Sequence, residues 1–71
     1  MRTETLQTRD PKAHAENIQQ MLNEVIEHVR GDVDQVEEPK ARVLFETTAE
    51  VLIGLRTAYE HYVTAAEKAM R

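Results

Sequence analysis

The chain has 71 residues, no cysteine, two glycines, two prolines and three aromatic residues. A chain of this length forms one small domain, and the missing cysteines exclude disulfides, thiol chemistry and cysteine-based zinc sites as supports for it. The formal net charge of -4 and the scattered positions of nine Lys and Arg residues argue against a dominant phosphate-binding surface. The low glycine and proline content is typical of an all-helical protein.

An N-terminal arm precedes the first predicted element. Residues 1–9 begin polar and mixed in charge and show no clean hydrophobic period, which predicts a flexible arm that only Leu6 can anchor. A single helical domain is then predicted from 10 to 71. Its first helix begins at Asp10-Pro11, because an aspartate can cap a free backbone N–H and a proline in the first turn loses no hydrogen bond.

Helix 1 is predicted to be amphipathic and to span about 11–30. At about 100° per residue, its apolar side chains share one face and its charged and amide side chains share the other. The apolar face comprises His14, Ile18, Met21, Leu22, Val25, Ile26 and Val29. We expect the helix to stop at Arg30-Gly31, because a basic last turn suits the helix dipole and glycine tolerates the left-handed conformation that often ends a helix.

A short acidic connection, 31–38, is predicted between the helices. Pro39 either opens helix 2 or lies just inside a capping box formed by Asp34 and Glu37, and the sequence leaves both starts open. From 39 to about 70 the one helix breaker is Gly54, which predicts a single helix that outruns helix 1 by about three turns. The predicted fold is therefore all-α, an antiparallel hairpin of a short helix 1 and a long helix 2.

Helix 2 carries two adjacent apolar rows. The first has the alternating spacing of four and three residues that is typical of left-handed helix packing, and it consists of Leu44, Thr48, Val51, Leu55, Ala58, Tyr62, Ala65 and Ala69. The second row recurs every seven residues and consists of Phe45, Leu52, Tyr59 and Ala66. Helix 1 can cover one row, which leaves the other row, the overhanging end and Ile53, expected on the far side, for another helix to cover.

A second copy of the chain is the expected cover, because two-fold dimers are the commonest closed symmetry, and the expected assembly is a four-helix bundle. The predicted interface residues are Ile18, Leu22, Val25, Val29, Leu44, Val51, Leu52, Leu55, Tyr59 and Tyr62. In architecture alone this arrangement resembles the small dimeric hairpin proteins of the Rop type, in which two hairpins form a bundle. No motif is shared, so the resemblance brings neither site residues nor RNA binding to this chain. The relative direction of the two hairpins and the possibility of a higher oligomer stay open.

Carboxylates and histidines form the first candidate site, because four-helix bundles commonly hold metals on inward-facing Glu and Glu-x-x-His motifs. Here His28 and His61 are preceded, three residues earlier, by Val25 and Ala58. The favoured interpretation is a solvated face crossed by pairs four residues apart. The alternative is a ferritin-like metal site formed on dimerisation, with ligands drawn from Glu46, Glu50, Glu60, His61, His14, Glu24 and His28.

Three further features favour structural roles. The antiparallel register is expected to bring His14 near Tyr59, His61 or Tyr62, where a hydrogen-bonded histidine at the edge of the core is the favoured interpretation. Tyr59 and Tyr62 are expected to be core residues with their hydroxyls at the rim. The acidic connection lacks the glycine and the third oxygen ligand of a calcium-binding loop, so a solvated connection is favoured there.

No residues form a recognisable catalytic arrangement. Serine and cysteine are absent, no threonine is visibly paired with a histidine and an acid, and two glycines do not make a phosphate-binding loop. We therefore predict no catalysis and no cofactor. The expected function is that of a small homo-oligomeric bundle acting as a structural or protein-interaction module. Val43, Ile53 and the overhanging end of helix 2 are the candidate surfaces for another protein.

A third possibility is a nucleic-acid-binding accessory protein that uses Arg42, Arg56, Lys68 and Arg71 on one face of the bundle.

No stretch approaches the roughly 18 apolar residues of a membrane span, and the start of the chain is too polar for the core of a signal peptide. A cytoplasmic location with no membrane partner is therefore the default expectation.

Overall fold

The computed structural model describes residues 7–69 and has two helices, α1 (Pro11–Val33) and α2 (Pro39–Ala69). The helices pack against each other as a hairpin, which confirms the predicted all-helical hairpin. The molecule measures 49 × 22 × 13 Å. Because one helix with its side chains is about 10–12 Å across, the hairpin is a single layer, two helices wide and one helix thick.

The starts of both helices follow from local sequence. Asp10 caps α1, its Oδ1 accepting from the backbone N–H of Lys12 at 3.0 Å, and the proline that follows occupies the first turn as predicted. In α2 the first residue is Pro39, and the carboxylate of Glu38 accepts from the backbone N–H of Ala41. Of the two starts that the sequence left open, the structure therefore has the one at Pro39.

The end of α1 differs from the prediction. The helix continues beyond Gly31 to Val33, and neither glycine has a positive φ. The helix closes on tightened turns, in which the N–H of Asp34 donates to the carbonyl of Gly31 at 3.2 Å and that of Gln35 to the carbonyl of Asp32 at 3.0 Å. Val33 is half-buried, and packing of this kind supplies most of the stability of a helix in a protein. With 31 residues against 23, α2 is about two turns longer than α1, not three.

The longer α1 also changes the position of Ile53. This residue was predicted to lie on the far side of helix 2, without a cover in the hairpin. In the structure it is half-buried and lines a hollow between the helices with Val33 and Ala49. The last turn of α1, which the sequence did not predict, reaches this part of α2 and covers it.

Residues 7–10 lead into α1 without helical structure. The hydroxyl oxygen of Thr8 accepts from the backbone N–H of Asp10 at 3.1 Å, and the carbonyl oxygen of Thr8 lies 2.7 Å from Nε2 of His14. The half-buried His14 is thus the hydrogen-bonded histidine at the edge of the core that the sequence favoured. Leu6, the predicted anchor of the arm, lies outside the described residues.

Little of the hairpin is buried. Among residues 7–69 the buried apolar side chains are Ala15, Ile26, Ala49 and Val63, and Ile26 alone is fully buried. The accessible surface of the chain is 5664 Å², whereas a compact monomer of its 8.2 kDa mass exposes about 4,500 Å². The chain therefore exposes about 1,100 Å² more than a compact monomer of its size.

Candidate interaction face

The two apolar rows of α2 have different surroundings. The row that faces α1 is half-buried and consists of Phe45, Leu52, Tyr59 and Ala66. The other row, called the open row below, is the first row of the sequence analysis, from Leu44 to Ala69. Its large side chains remain exposed, at 61% for Leu44, 58% for Val51, and 47% for both Leu55 and Tyr62. Helix α1 therefore covers one row and leaves its neighbour uncovered.

Helix α1 widens the open row into a face. Ile18, Met21 and Val25 are half-buried, and at about 100° per residue they lie to one side of the buried Ile26. A groove bordered by residues of both helices shows that this side of α1 and the open row lie on the same broad side of the hairpin. This side, made by the open row with Ile18, Met21 and Val25, is called the apolar face below.

The groove has a volume of about 730 Å³ and lies at the open end of the hairpin. It is lined by Arg9, Pro11, His14, Ala15, Ile18, Ala58, Tyr59 and Tyr62. The structure thus brings His14 together with both tyrosines, as the antiparallel register predicted. His61 does not line the groove and is exposed. Ala15 and Ala58 are small, so the space between the larger rings stays open.

The opposite broad side of the hairpin is polar. Nη1 of Arg56 donates to Oδ1 of Asn23 at 2.6 Å and joins the two helices across this side. The hollow around this hydrogen bond has a volume of about 490 Å³ and is lined by Glu16, Gln19, Gln20, Asn23, Arg56, Glu60 and Val63. The two broad sides of one thin layer therefore differ sharply in chemistry.

A lysine links the two helices at the open end of the polar side. Nζ of Lys12 lies 2.8 Å from Oε1 of Glu16 on the same helix and 3.7 Å from Oε1 of Glu67 on α2. The hydrogen bond to Glu16 raises the pKa of Lys12, and the nearby carboxylate of Glu67 acts in the same direction. The half-buried Lys12 therefore stays protonated and links the two helices at this end of the hairpin.

The residues of the metal alternative do not come together within one chain. Six of the seven candidate ligands have exposed side chains, namely Glu24, His28, Glu46, Glu50, Glu60 and His61. His28 pairs with Asp32, their Nε2 and Oδ2 atoms lying 3.2 Å apart. Asp32 belongs to α1 rather than to the acidic connection. Within residues 7–69 no group of three His, Asp or Glu side chains could hold a metal ion.

The basic residues of the nucleic-acid alternative are also dispersed. Arg56 is hydrogen-bonded to Asn23, while Arg42 and Lys68 are exposed near opposite ends of α2. The 26 positions between these two correspond to about 39 Å along the helix. Arg71 lies outside the described residues. No single phosphate-binding patch is formed by the three that the structure describes.

No protein-family model, curated protein or solved structure matches this chain. Within the described part of the chain, neither helix has the length and apolar character that crossing a membrane requires. The apolar face is the most distinctive feature of the hairpin's surface.

Proposed function

We propose that this protein is a self-associating helical module, in which two copies cover each other's apolar face and form a four-helix bundle that serves as a structural or protein-interaction element without catalysis of its own. One observation supports this proposal. A hairpin only 13 Å thick exposes a continuous apolar face on one broad side, with about half or more of each large open-row side chain uncovered.

The total exposed area leaves room for such an interface. Stable protein interfaces bury about 800 Å² on each partner. The whole chain, polar and apolar surface together, exposes about 1,100 Å² more than a compact monomer of its mass. One standard interface would bring the exposed area per chain close to that of an ordinary compact protein.

A second copy suits the face better than a compact partner does. The face is long and straight, since it follows helices in a molecule 49 Å long, and another helical layer of the same length matches that shape. A second copy supplies such a layer and needs the same cover for its own face, so one contact satisfies both chains. Exposed apolar patches of this kind mark interaction sites on small proteins.

Pairing through the apolar face does not gather the α2 residues of the metal alternative. A helix turns by about 100° per residue, so the open row lies on a different side of α2 from Glu46, Glu50 and His61. In the proposed dimer they stay on the outer surface instead of converging between the chains.

Two valines of α2 allow a matched test. Val51 and Val43 are similarly exposed, at 58% and 63%, but Val51 lies in the open row and Val43 lies outside it. We expect sedimentation equilibrium to show a dimer for the unmodified chain, with helicity by circular dichroism falling as the dimer dissociates. Val51→Glu should then be monomeric at concentrations at which Val43→Glu is still a dimer. A folded monomer at all concentrations, or equal dissociation of the two variants, would contradict the proposal.

A further inference from the structure

We infer that the two hairpins of the dimer are related by a two-fold axis that runs perpendicular to the helices and passes beside Leu55, so that the two connections lie at opposite ends of the bundle. This inference rests on the proposed function and adds the orientation and the contacting residues. In this arrangement α2 packs antiparallel on α2 of the second copy, and α1 packs antiparallel on α1.

Side-chain size along the open row points to this axis. Interiors pack at uniform density, which facing positions achieve when large side chains oppose small ones. If two open rows run antiparallel with Leu55 opposite itself, each remaining large side chain meets a smaller one. The resulting pairs are Leu44 with Ala65, Val51 with Ala58, and Tyr62 with Thr48. The hydroxyl of Thr48 already donates to the carbonyl of Leu44 at 2.8 Å, so it can be covered without losing its hydrogen bond.

Helix α1 indicates the same axis independently. On the apolar face it carries a row with spacing of four and three, which consists of His14, Ile18, Met21, Val25, His28 and Asp32. This row is symmetric about position 23, so Met21 meets Val25, Ile18 meets His28, and the imidazole of His14 meets the carboxylate of Asp32, which also pairs with His28 of its own chain. An imidazole N–H can donate to a carboxylate oxygen.

The two centres lie at the same height in the hairpin. Asn23 and Arg56 are joined by a hydrogen bond of 2.6 Å, so position 23 of α1 is level with position 56 of α2. The open row places the axis at position 55, one residue away. A single two-fold axis therefore passes close to the centre of both rows.

The other two-fold arrangement leaves a leucine uncovered. An axis parallel to the helices would place both connections at one end and pack α2 on α1 of the second copy. Val33, the last residue of α1, lies level with the turn of α2 that contains Glu46 and Ala49. Helix α1 of the second copy would therefore end before it reached Leu44, the most exposed large side chain of the open row. The perpendicular axis covers Leu44 with α2.

The perpendicular axis also accounts for the groove. The part of α2 that borders the groove includes Ala58 and Tyr62. These two residues lie opposite Val51 and Thr48 of the second copy. The groove is continuous with the apolar face, so the second copy fills it as part of the same contact.

The absence of native cysteine makes crosslinking a direct test. The variants Leu55→Cys, Leu44→Cys and Ala65→Cys are treated with a short bis-maleimide in native buffer and in urea. We expect Leu55→Cys to crosslink to itself in native buffer only. Leu44→Cys should not crosslink to itself, because two such residues, each 11 positions from the axis, are about 33 Å apart along the bundle. Refolding Leu44→Cys together with isotope-labelled Ala65→Cys should give a crosslinked heterodimer.

Sedimentation equilibrium of the unmodified chain and of each variant separates the two proposals. If the proteins are dimers and Leu44→Cys crosslinks to itself as strongly as it does to Ala65→Cys, the orientation is wrong while self-association stands. If the unmodified chain is a monomer, both proposals fail. The mixture of Val51→Cys with Ala58→Cys provides a second pair nearer the axis, and it should crosslink as the first mixture does.

Discussion

Truncation of Leu55 probes the proposed interface at its centre, where one substitution changes the same contact in both copies. The residue is 47% exposed in the hairpin, and complete burial of a leucine side chain contributes about 1.5–3 kcal/mol. Covering the exposed half therefore contributes about 1 kcal/mol per copy and about 2 kcal/mol per dimer. Since 1.4 kcal/mol corresponds to a factor of ten, we expect Leu55→Ala to raise the dimer Kd about 30-fold.

The Kd values are measured by sedimentation equilibrium in one buffer at one temperature. Alanine has the best helix propensity, so circular dichroism at high concentration should show the same helicity for both chains. Val43→Ala is the matched control, because Val43 is 63% exposed and lies outside the apolar face. Its Kd should stay within about twofold of the unmodified value.

Two results would refute this reasoning. An unchanged Kd for Leu55→Ala would mean that Leu55 is not covered in the dimer. A similar increase for Val43→Ala would mean that general loss of apolar surface, and not position on the face, determines association.

The hairpin itself supports three more predictions, each measured by urea unfolding at a fixed protein concentration. Ile26→Ala should lower the free energy of unfolding by about 2–5 kcal/mol, because Ile26 is fully buried, and a larger loss for the half-buried Ile18→Ala would contradict the described core. Asp10→Ala should cost about 1 kcal/mol by removing the acceptor of the Lys12 N–H, and unchanged stability would show that the cap contributes nothing. Gly31→Ala should stabilise the chain by about 0.5–1 kcal/mol. The glycine lies within α1 without a positive φ, and a Cβ added there meets nothing within 4 Å. A loss of stability would instead argue that Gly31 adopts the left-handed conformation.

The helix starts were predictable from the sequence because their signals are local. Asp10 and Pro39 act on backbone groups within a few residues of themselves, so the chain need not be folded to interpret them. The end of α1 depends on a distant contact. Gly31 resembles a stop signal, but the packing of Val33 on α2 continues the helix through it. No pattern within α1 reveals that contact.

The two apolar rows of α2 were predictable, but the row that α1 covers was not. Adjacent rows have similar composition, so the choice depends on the rotation of one helix against the other. Of the predicted interface residues, Leu52 and Tyr59 pack within the hairpin, while Leu44 and Val51 stay open.

Polar links between distant residues also escaped the sequence analysis. The hydrogen bond between Arg56 and Asn23 joins positions 33 residues apart, and neither residue belongs to an apolar row with a helical period. Arg56 was instead considered for nucleic-acid binding. The register of the hairpin would have revealed the pair, because it places positions 23 and 56 at one height.

The polar side of the hairpin limits the number of chains that can stack in the proposed assembly. A thin layer with two apolar sides could accept a neighbour on each of them and extend into an open fibre. Here the side that carries Asn23, Arg56 and the surrounding carboxylates and amides is mainly polar, so it is a poor surface for a third chain. We therefore expect stacking through the apolar face to end with a closed pair, so that a higher protein concentration increases the number of pairs without lengthening them.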